Sequence, residues 1–124
     1  MRNPSLALAL LALPLVAFGQ MKPEEKTREM NELAALRKVQ AKAKTTYLKK
    51  PKDAKLKKAY VFETVRLGMR ILYSPAMDHK TQSAQARPFF VEALKVDPTN
   101  ADARKALNQI DMIDRLIKSK KKSG

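Results

Sequence analysis

Few side chains of this sequence could take part in catalysis, and they are scattered along the chain. His79 is the only histidine. It follows Asp78 in a predicted loop, without a nucleophile to complete a set of catalytic groups. Asp111 and Asp114 share one face of a predicted helix, but two carboxylates without further ligands make a poor metal site. These residues predict a protein that is not an enzyme and that holds neither a metal nor a cofactor.

A larger group of residues, all basic, could bind a polyanion. Ten positive side chains stand between Arg37 and Lys58 against one carboxylate, Asp53. Such a stretch attracts an envelope polymer, anionic lipid head groups or nucleic acid, or it is a solvated surface that keeps the protein soluble. No zinc ligands or recognition-helix motif specify nucleic acid. The candidate residues, called the basic patch, are Arg37, Lys38, Lys42, Lys49, Lys50, Lys52, Lys55, Lys57 and Lys58.

The composition indicates one small helical domain. The chain has 124 residues, with 26 Lys and Arg against 12 Asp and Glu and a formal net charge of +14. Ala, Leu, Lys, Glu and Arg dominate, as is typical of helical proteins. Cysteine is absent, which excludes a disulfide and a lipid attached through a cysteine.

Residues 1–19 match the pattern of a secretory signal peptide. Arg2 precedes an apolar run from Leu6 to Phe18, and small residues at positions 17 and 19 suit a signal peptidase. The run is too short to cross a bilayer core, which takes about 20 residues. We expect cleavage after Gly19 and an exported protein, periplasmic or secreted. An uncleaved anchor or a buried core helix is the alternative.

The rest of the chain predicts four helices and no strand, hence an all-α fold. The first runs from about Pro23 to Lys49, and its Glu25, Glu29 and Glu32 are interpreted as a solvated face that benefits from the helix dipole. The second follows an Asp53 cap, the third follows a cap at Thr81 or Ser83 and ends near residue 96, and the fourth follows an Asn100 cap and ends near residue 118. We divide the mature chain into a basic N-terminal helix (20–50), a helical domain (51–118) and a basic disordered tail (119–124).

The predicted second helix is apolar on two sides. One stripe contains Leu56, Tyr60, Leu67 and Ile71, and the other contains Phe62, Val65, Met69 and Leu72. A helix of this kind has to be covered on two sides. We therefore expect it at the centre of the fold.

A motif in the third helix and the following turn resembles the second helix and closing turn of a tetratricopeptide repeat. It reads Ala86-x3-Phe90-x2-Ala93-Leu94-x-Val96-Asp97-Pro98-x-Asn100. Upstream, Leu67-Gly68-x2-Ile71 is similar to the first helix of such a repeat. The resemblance covers about residues 64–116 and implies an antiparallel helical hairpin with a C-terminal capping helix, to which this chain adds an N-terminal helix. It also implies that Gly68 is a point of close helix contact and that Phe90 fills the space between the helices.

The resemblance further implies a binding face, since these repeats bind proteins on a concave surface lined by the first helix of each pair. On this chain that partner groove would contain Phe62, Val65, Met69, Leu72 and Tyr73. The alternative is that the N-terminal helix covers these residues and makes them part of the core, because exposed apolar patches of this size are rare in monomers. The expected function is a non-catalytic adaptor or scaffold that binds an unidentified protein. A cationic binder of an envelope polymer, lipid surface or nucleic acid is the alternative, and a homo-oligomer remains open.

Overall fold

The computed structural model describes residues 21–123, with side chains as far as residue 120. This part of the chain contains four helices and no strand, which confirms the predicted all-α class. We number the helices in chain order: α1 (Pro23–Lys49), α2 (Ala54–Leu72), α3 (His79–Val96) and α4 (Ala101–Ser123).

The bounds of α1 agree with the sequence prediction, and local chemistry explains them. Pro23 occupies the first helical position, where its missing N–H leaves no carbonyl unpaired. Glu25 Oε1 accepts the backbone N–H of Lys22 at 3.2 Å. At the other end Lys50 leaves the helical region, with φ of −139°, as a residue that precedes a proline tends to do.

Two of the predicted helix caps are confirmed. Asp53 Oδ1 accepts the backbone N–H groups of Lys55 at 2.9 Å and Leu56 at 3.1 Å, and so starts α2. Asn100 Oδ1 accepts the N–H of Ala103 at 2.9 Å and starts α4. Each cap satisfies N–H groups that have no partner within the helix.

The predicted start of α3 was wrong. We expected the helix to begin at about Ser83, but it begins four residues before that, at His79, because Asp78 Oδ1 accepts the N–H of Thr81 at 2.8 Å. The hydrogen bonds from Thr81 also lower the pKa of the Asp78 carboxyl. The earlier start places His79 in the helix rather than in a loop, and Pro88 lies inside the helix. Pro88 is tolerated there because it is exposed, so the carbonyl that loses its partner lies near water.

The last helix is longer than the sequence indicated. α4 continues to Ser123, through the segment that was assigned to a charged tail.

The core lies around α2, which packs against α1, α3 and α4. On the side facing α3, the fully buried ring of Phe90 lies against Gly68. A Cβ atom at Gly68 would stand 2.9 Å from two carbon atoms of this ring, so only glycine fits without displacement. The close contact expected between Gly68 and Phe90 is therefore present. Ala86, Ala93, Leu67, Ile71 and Ile110 complete the buried centre.

The contact between α1 and α2 is unusually polar. Leu33 is the one apolar residue of α1 in the buried core of the described chain. Gln40 is buried and donates to Thr64 Oγ1 at 3.0 Å. Glu29 is buried too, so its interpretation as part of a solvated face was wrong, whereas Glu25 and Glu32 are exposed.

Hydrogen bonds to α2 and the following turn explain why Glu29 can be buried. Its carboxylate accepts from Ser74 Oγ at 2.8 Å and from the guanidinium of Arg70 at 3.0 Å. A buried carboxylate is tolerated when it is paired in this way. The two contacts fix α1 near its N-terminal end.

A second polar cluster fixes α1 towards its C-terminal end. The carboxylate of Glu92 in α3 accepts from the Tyr60 hydroxyl, from Gln40 Nε2 at 3.2 Å and from Lys44 Nζ at 3.2 Å. Burial, together with the bond to Glu92, raises the pKa of the Tyr60 hydroxyl. Tyr60 also stacks on Tyr47, with ring centroids 5.2 Å apart. These contacts join α1, α2 and α3 in one hydrogen-bonded network.

Among residues 21–123, none of the helices combines the length and the apolar character that crossing a membrane requires.

Candidate functional site

The five residues of the predicted partner groove divide into two groups. Val65 and Leu72 are buried in the core. Met69 is half-buried against the same core. Phe62 and Tyr73 are 62% and 58% exposed. The surface that α2 offers to a partner therefore consists of Phe62, Met69 and Tyr73, which we call the outer face of α2.

The spacing of these three residues places them in one line along the helix. Intervals of seven and four residues return to the same side of an α-helix. Phe62 and Tyr73 are then separated by about 16 Å along the helix axis, at 1.5 Å per residue. An aromatic side chain thus projects near each end of the line, with the flexible thioether of Met69 between them.

An open groove borders the Phe62 end of the outer face. It has a volume of about 550 Å³. Residues from the first half of α2 and from the turn between α3 and α4 line it. The lining residues are Ala54, Lys57, Lys58, Val61, Phe62, Asp97 and Asn100.

A smaller cleft of about 230 Å³ borders the Tyr73 end. It lies between the end of α2, the start of α3 and the middle of α4. The Tyr73 hydroxyl donates to Gln109 Oε1 at 3.1 Å, and His79 Nδ1 hydrogen-bonds Gln82 Oε1 at 3.1 Å. His79 is therefore paired with an amide. Among the hydrogen bonds of residues 21–123, none joins the His79 ring to a carboxylate or a nucleophile.

α4 adds exposed apolar side chains that sequence reasoning did not single out. Met112 and Leu116 are both more than half exposed, and Ile117 is exposed as well. Met112 and Leu116 are four residues apart, so they lie on the same side of α4. That spacing is the sequence signal that could have identified them, but it does not reveal that no other helix covers them.

Arg37 and the lysines of the basic patch differ in the contacts that they make. Arg37 is engaged: its guanidinium donates to Gln85 at 3.1 Å and lies 5.7 Å from the centre of the Phe89 ring. The eight lysines of the patch are exposed on α1, on α2 and in the turn between them. Lys38, Lys42 and Lys49 share one side of α1, since their spacing of four and seven residues is helical.

The carboxylates considered as a metal site have a structural role. Asp111 and Asp114 each accept from Nη2 of Arg87, at 2.8 and 2.9 Å. The hydrogen bond that Arg87 donates to Asp111 is the main reason that the pKa of Arg87 is raised. Within the part of the chain that the structure describes, no three His, Cys, Asp or Glu side chains are grouped closely enough to hold a metal ion.

Comparison with known proteins does not place the chain in a family: no family model, curated protein or solved structure matches it.

Proposed function

We propose that this protein is an exported, non-catalytic adaptor that binds another protein along the outer face of α2. The observation that carries the proposal is the exposure of Phe62 and Tyr73 on one side of α2, a helix that packs against α1, α3 and α4. Aromatic residues are enriched at protein interfaces because they bury a large area with little loss of side-chain freedom. Two aromatic anchors in line suit an elongated segment of a partner protein.

The surroundings of the outer face support this proposal. An open groove borders Phe62, and the Tyr73 hydroxyl donates to Gln109 of α4, a helix that also carries exposed Met112 and Leu116. Hydrophobic grooves between helices are a common way to bind an amphipathic helix or an extended segment. The resemblance of residues 64–116 to a tetratricopeptide repeat points to the same use of α2, and a repeat-like helical hairpin formed by α2 and α3 is part of the proposal.

Site-specific photocrosslinking tests the binding face. A photoreactive phenylalanine analogue would replace Phe62 or, separately, Val39, which is exposed on α1. We expect position 62 to crosslink one defined protein in cells that express the chain, and position 39 to crosslink none. Tyr73→Ser, on the far end of the same face, should weaken the crosslink from position 62 without unfolding the protein. Equal crosslinking from both positions would exclude the outer face of α2 as the specific site.

Export is tested independently of the partner. The signal pattern lies in residues 1–20, outside the described residues. N-terminal sequencing of the protein recovered outside the cytoplasm should give a chain that begins at Gln20. A protein that still begins at Met1 would contradict the proposed cleavage.

A further inference from the structure

Three lysines occupy positions at the start of α2 that are unfavourable for positive charge. Lys55, Lys57 and Lys58 lie within the first five residues of the helix, and its first turn contains no acidic residue. The N-terminus of a helix carries a partial positive charge, so cations there destabilise it. Residues that violate such a helix preference without stabilising the structure are typical of functional sites.

Within residues 21–120, no side chain forms an ion pair with these lysines. The ion pairs of the described residues involve Lys44, Arg66, Arg70 and Arg87, and none includes Lys55, Lys57 or Lys58. Asp53 is close in sequence, but its Oδ1 accepts the backbone N–H groups that start α2.

Asp97 lines the groove beside Phe62 together with Lys57 and Lys58, but its carboxylate forms hydrogen bonds with Thr99. Its Oδ1 accepts the N–H and the hydroxyl of Thr99, at 3.2 and 2.8 Å. Lys57 and Lys58 form no ion pair with it. The groove rim therefore keeps a net positive charge.

More lysines join these three at the same end of the molecule. α1 ends at Lys49 and α2 begins at Ala54, so the turn between them brings both helix ends together. Leu48 lies beside this turn and is 60% exposed. We call this surface the basic end, and it consists of Leu48, Lys49, Lys50, Lys52, Lys55, Lys57 and Lys58.

We propose that the basic end docks on the anionic head groups of a membrane surface. Clustered lysines attract such a surface, each by roughly fivefold in partitioning. The exposed Leu48 can enter the boundary between head groups and acyl chains, as apolar residues of peripheral proteins do. The protein would then be held at a membrane by one end while the outer face of α2 stays free for a protein partner.

The residue types favour a lipid surface over nucleic acid. Specific contacts to bases and phosphates are made mainly by arginine, whose planar fork donates two parallel hydrogen bonds. Every basic residue of the basic end is a lysine, and the guanidinium of Arg37 in the basic patch contacts Gln85 and Phe89 instead. An exposed leucine gives no advantage in binding a phosphate backbone, but it strengthens attachment to a bilayer.

Vesicle flotation of the mature chain tests this proposal. Wild-type protein should bind vesicles of phosphatidylcholine with 30% phosphatidylglycerol, but not pure phosphatidylcholine, and 0.5 M salt should release it. The triple variant K55Q/K57Q/K58Q should bind about 100-fold more weakly. Its thermal stability should stay equal or rise, because three cations leave a helix N-terminus.

A matched variant separates the basic end from net charge. K95Q/K105Q/K118Q removes the same three charges from exposed positions of α3 and α4, and it should bind within about fivefold of wild type. Equal weakening of both triple variants would overturn the proposal, as would failure of wild type to bind anionic vesicles.

Leu48→Ser distinguishes a lipid from another polyanion. We expect it to weaken binding to anionic vesicles by roughly tenfold, in line with the loss of one buried leucine. Binding to a 20-base-pair DNA duplex or to polyglutamate should not change. If either polymer displaces the protein from vesicles at equal charge concentration, the basic end is a site for that polymer and the lipid proposal is wrong.

Discussion

The side of α2 that faces α3 and the side that faces α1 are packed by different chemistry. On the α3 side, Phe90 lies on Gly68 at a distance that leaves no room for a methyl group. On the α1 side, buried Gln40 and Glu29 form hydrogen bonds, and Leu33 is the apolar contribution to the core. The first contact depends on shape and the second on paired polar groups.

These two kinds of contact explain how a short chain can bury a helix on two sides. Apolar packing provides most of the stabilisation but tolerates some sliding between helices. Buried hydrogen bonds add less net stability, yet a shifted position leaves polar groups unpaired. We infer that the contact with α3 provides most of the stability, while the contact with α1 mainly specifies where α1 lies. Four substitutions test this division, and a fifth tests the cap of α3.

The largest effect is expected from Phe90→Ala. Removing a fully buried ring should lower the free energy of unfolding by about 3–5 kcal/mol, because both burial and packing are lost. Denaturant unfolding followed by circular dichroism would measure it. If Phe90→Ala lowered the free energy of unfolding by less than Leu33→Ala, this would contradict the inference that the contact with α3 provides most of the stability.

Leu33→Ala should come next, at about 2–3 kcal/mol. Since Leu33 is the one fully buried apolar residue that α1 adds to the core, with Leu36 half-buried against the same core, we expect the loss to appear first as local opening of α1. Hydrogen exchange should become faster in α1, while amides in the middle of α2 and α3 keep their protection. Uniform acceleration in all four helices would show that α1 is not a separable unit.

Gly68→Ala probes the close contact directly. The new methyl group meets the buried Phe90 ring, and the overpacking should cost about 1–2 kcal/mol even after the gain in helix propensity. Phe90→Leu in the same chain should recover part of this loss, since the smaller side chain makes room. An additive double variant would exclude the steric explanation.

Thr64→Val removes a hydrogen bond on the α1 side and keeps the shape of the side chain. Gln40 then loses one acceptor but keeps Glu92 at 3.2 Å. We expect a loss of about 1 kcal/mol in chemical unfolding. A gain in stability would indicate that the hydrogen bond between Gln40 and Thr64 destabilises the fold.

The smallest effect concerns Asp78 and acid pH. Its folded-state pKa lies below the ordinary value because it accepts hydrogen bonds from Thr81. The stabilisation is therefore fully present above the ordinary carboxyl pKa and is lost as pH falls through the lowered value. Protection of the Thr81 amide against exchange, relative to its intrinsic rate at each pH, should fall below about pH 4 in wild type. Asp78→Asn, which still caps a helix, should remove this dependence.

Helix ends could be read from the sequence because they depend on neighbours a few residues away. Asp53, Asn100 and Pro51 act within their own turns, so α1 and the starts of α2 and α4 were predicted correctly. The prediction for the start of α3 failed because Asp78, Thr81 and Ser83 can each act as the N-cap of this helix. Short-range chemistry allowed each of these three residues, and the sequence pattern does not rank them.

Burial of single residues, by contrast, depends on helices that are distant in sequence. The pattern of α2 groups Phe62 with Val65 and Leu72, yet the first is exposed and the other two are buried. Glu29 looks like a surface residue until Arg70 and Ser74 are placed beside it. Periodicity determines which side of a helix is apolar. The positions of α1, α3 and α4 determine how much of that side is covered, because coverage is a property of neighbours across space.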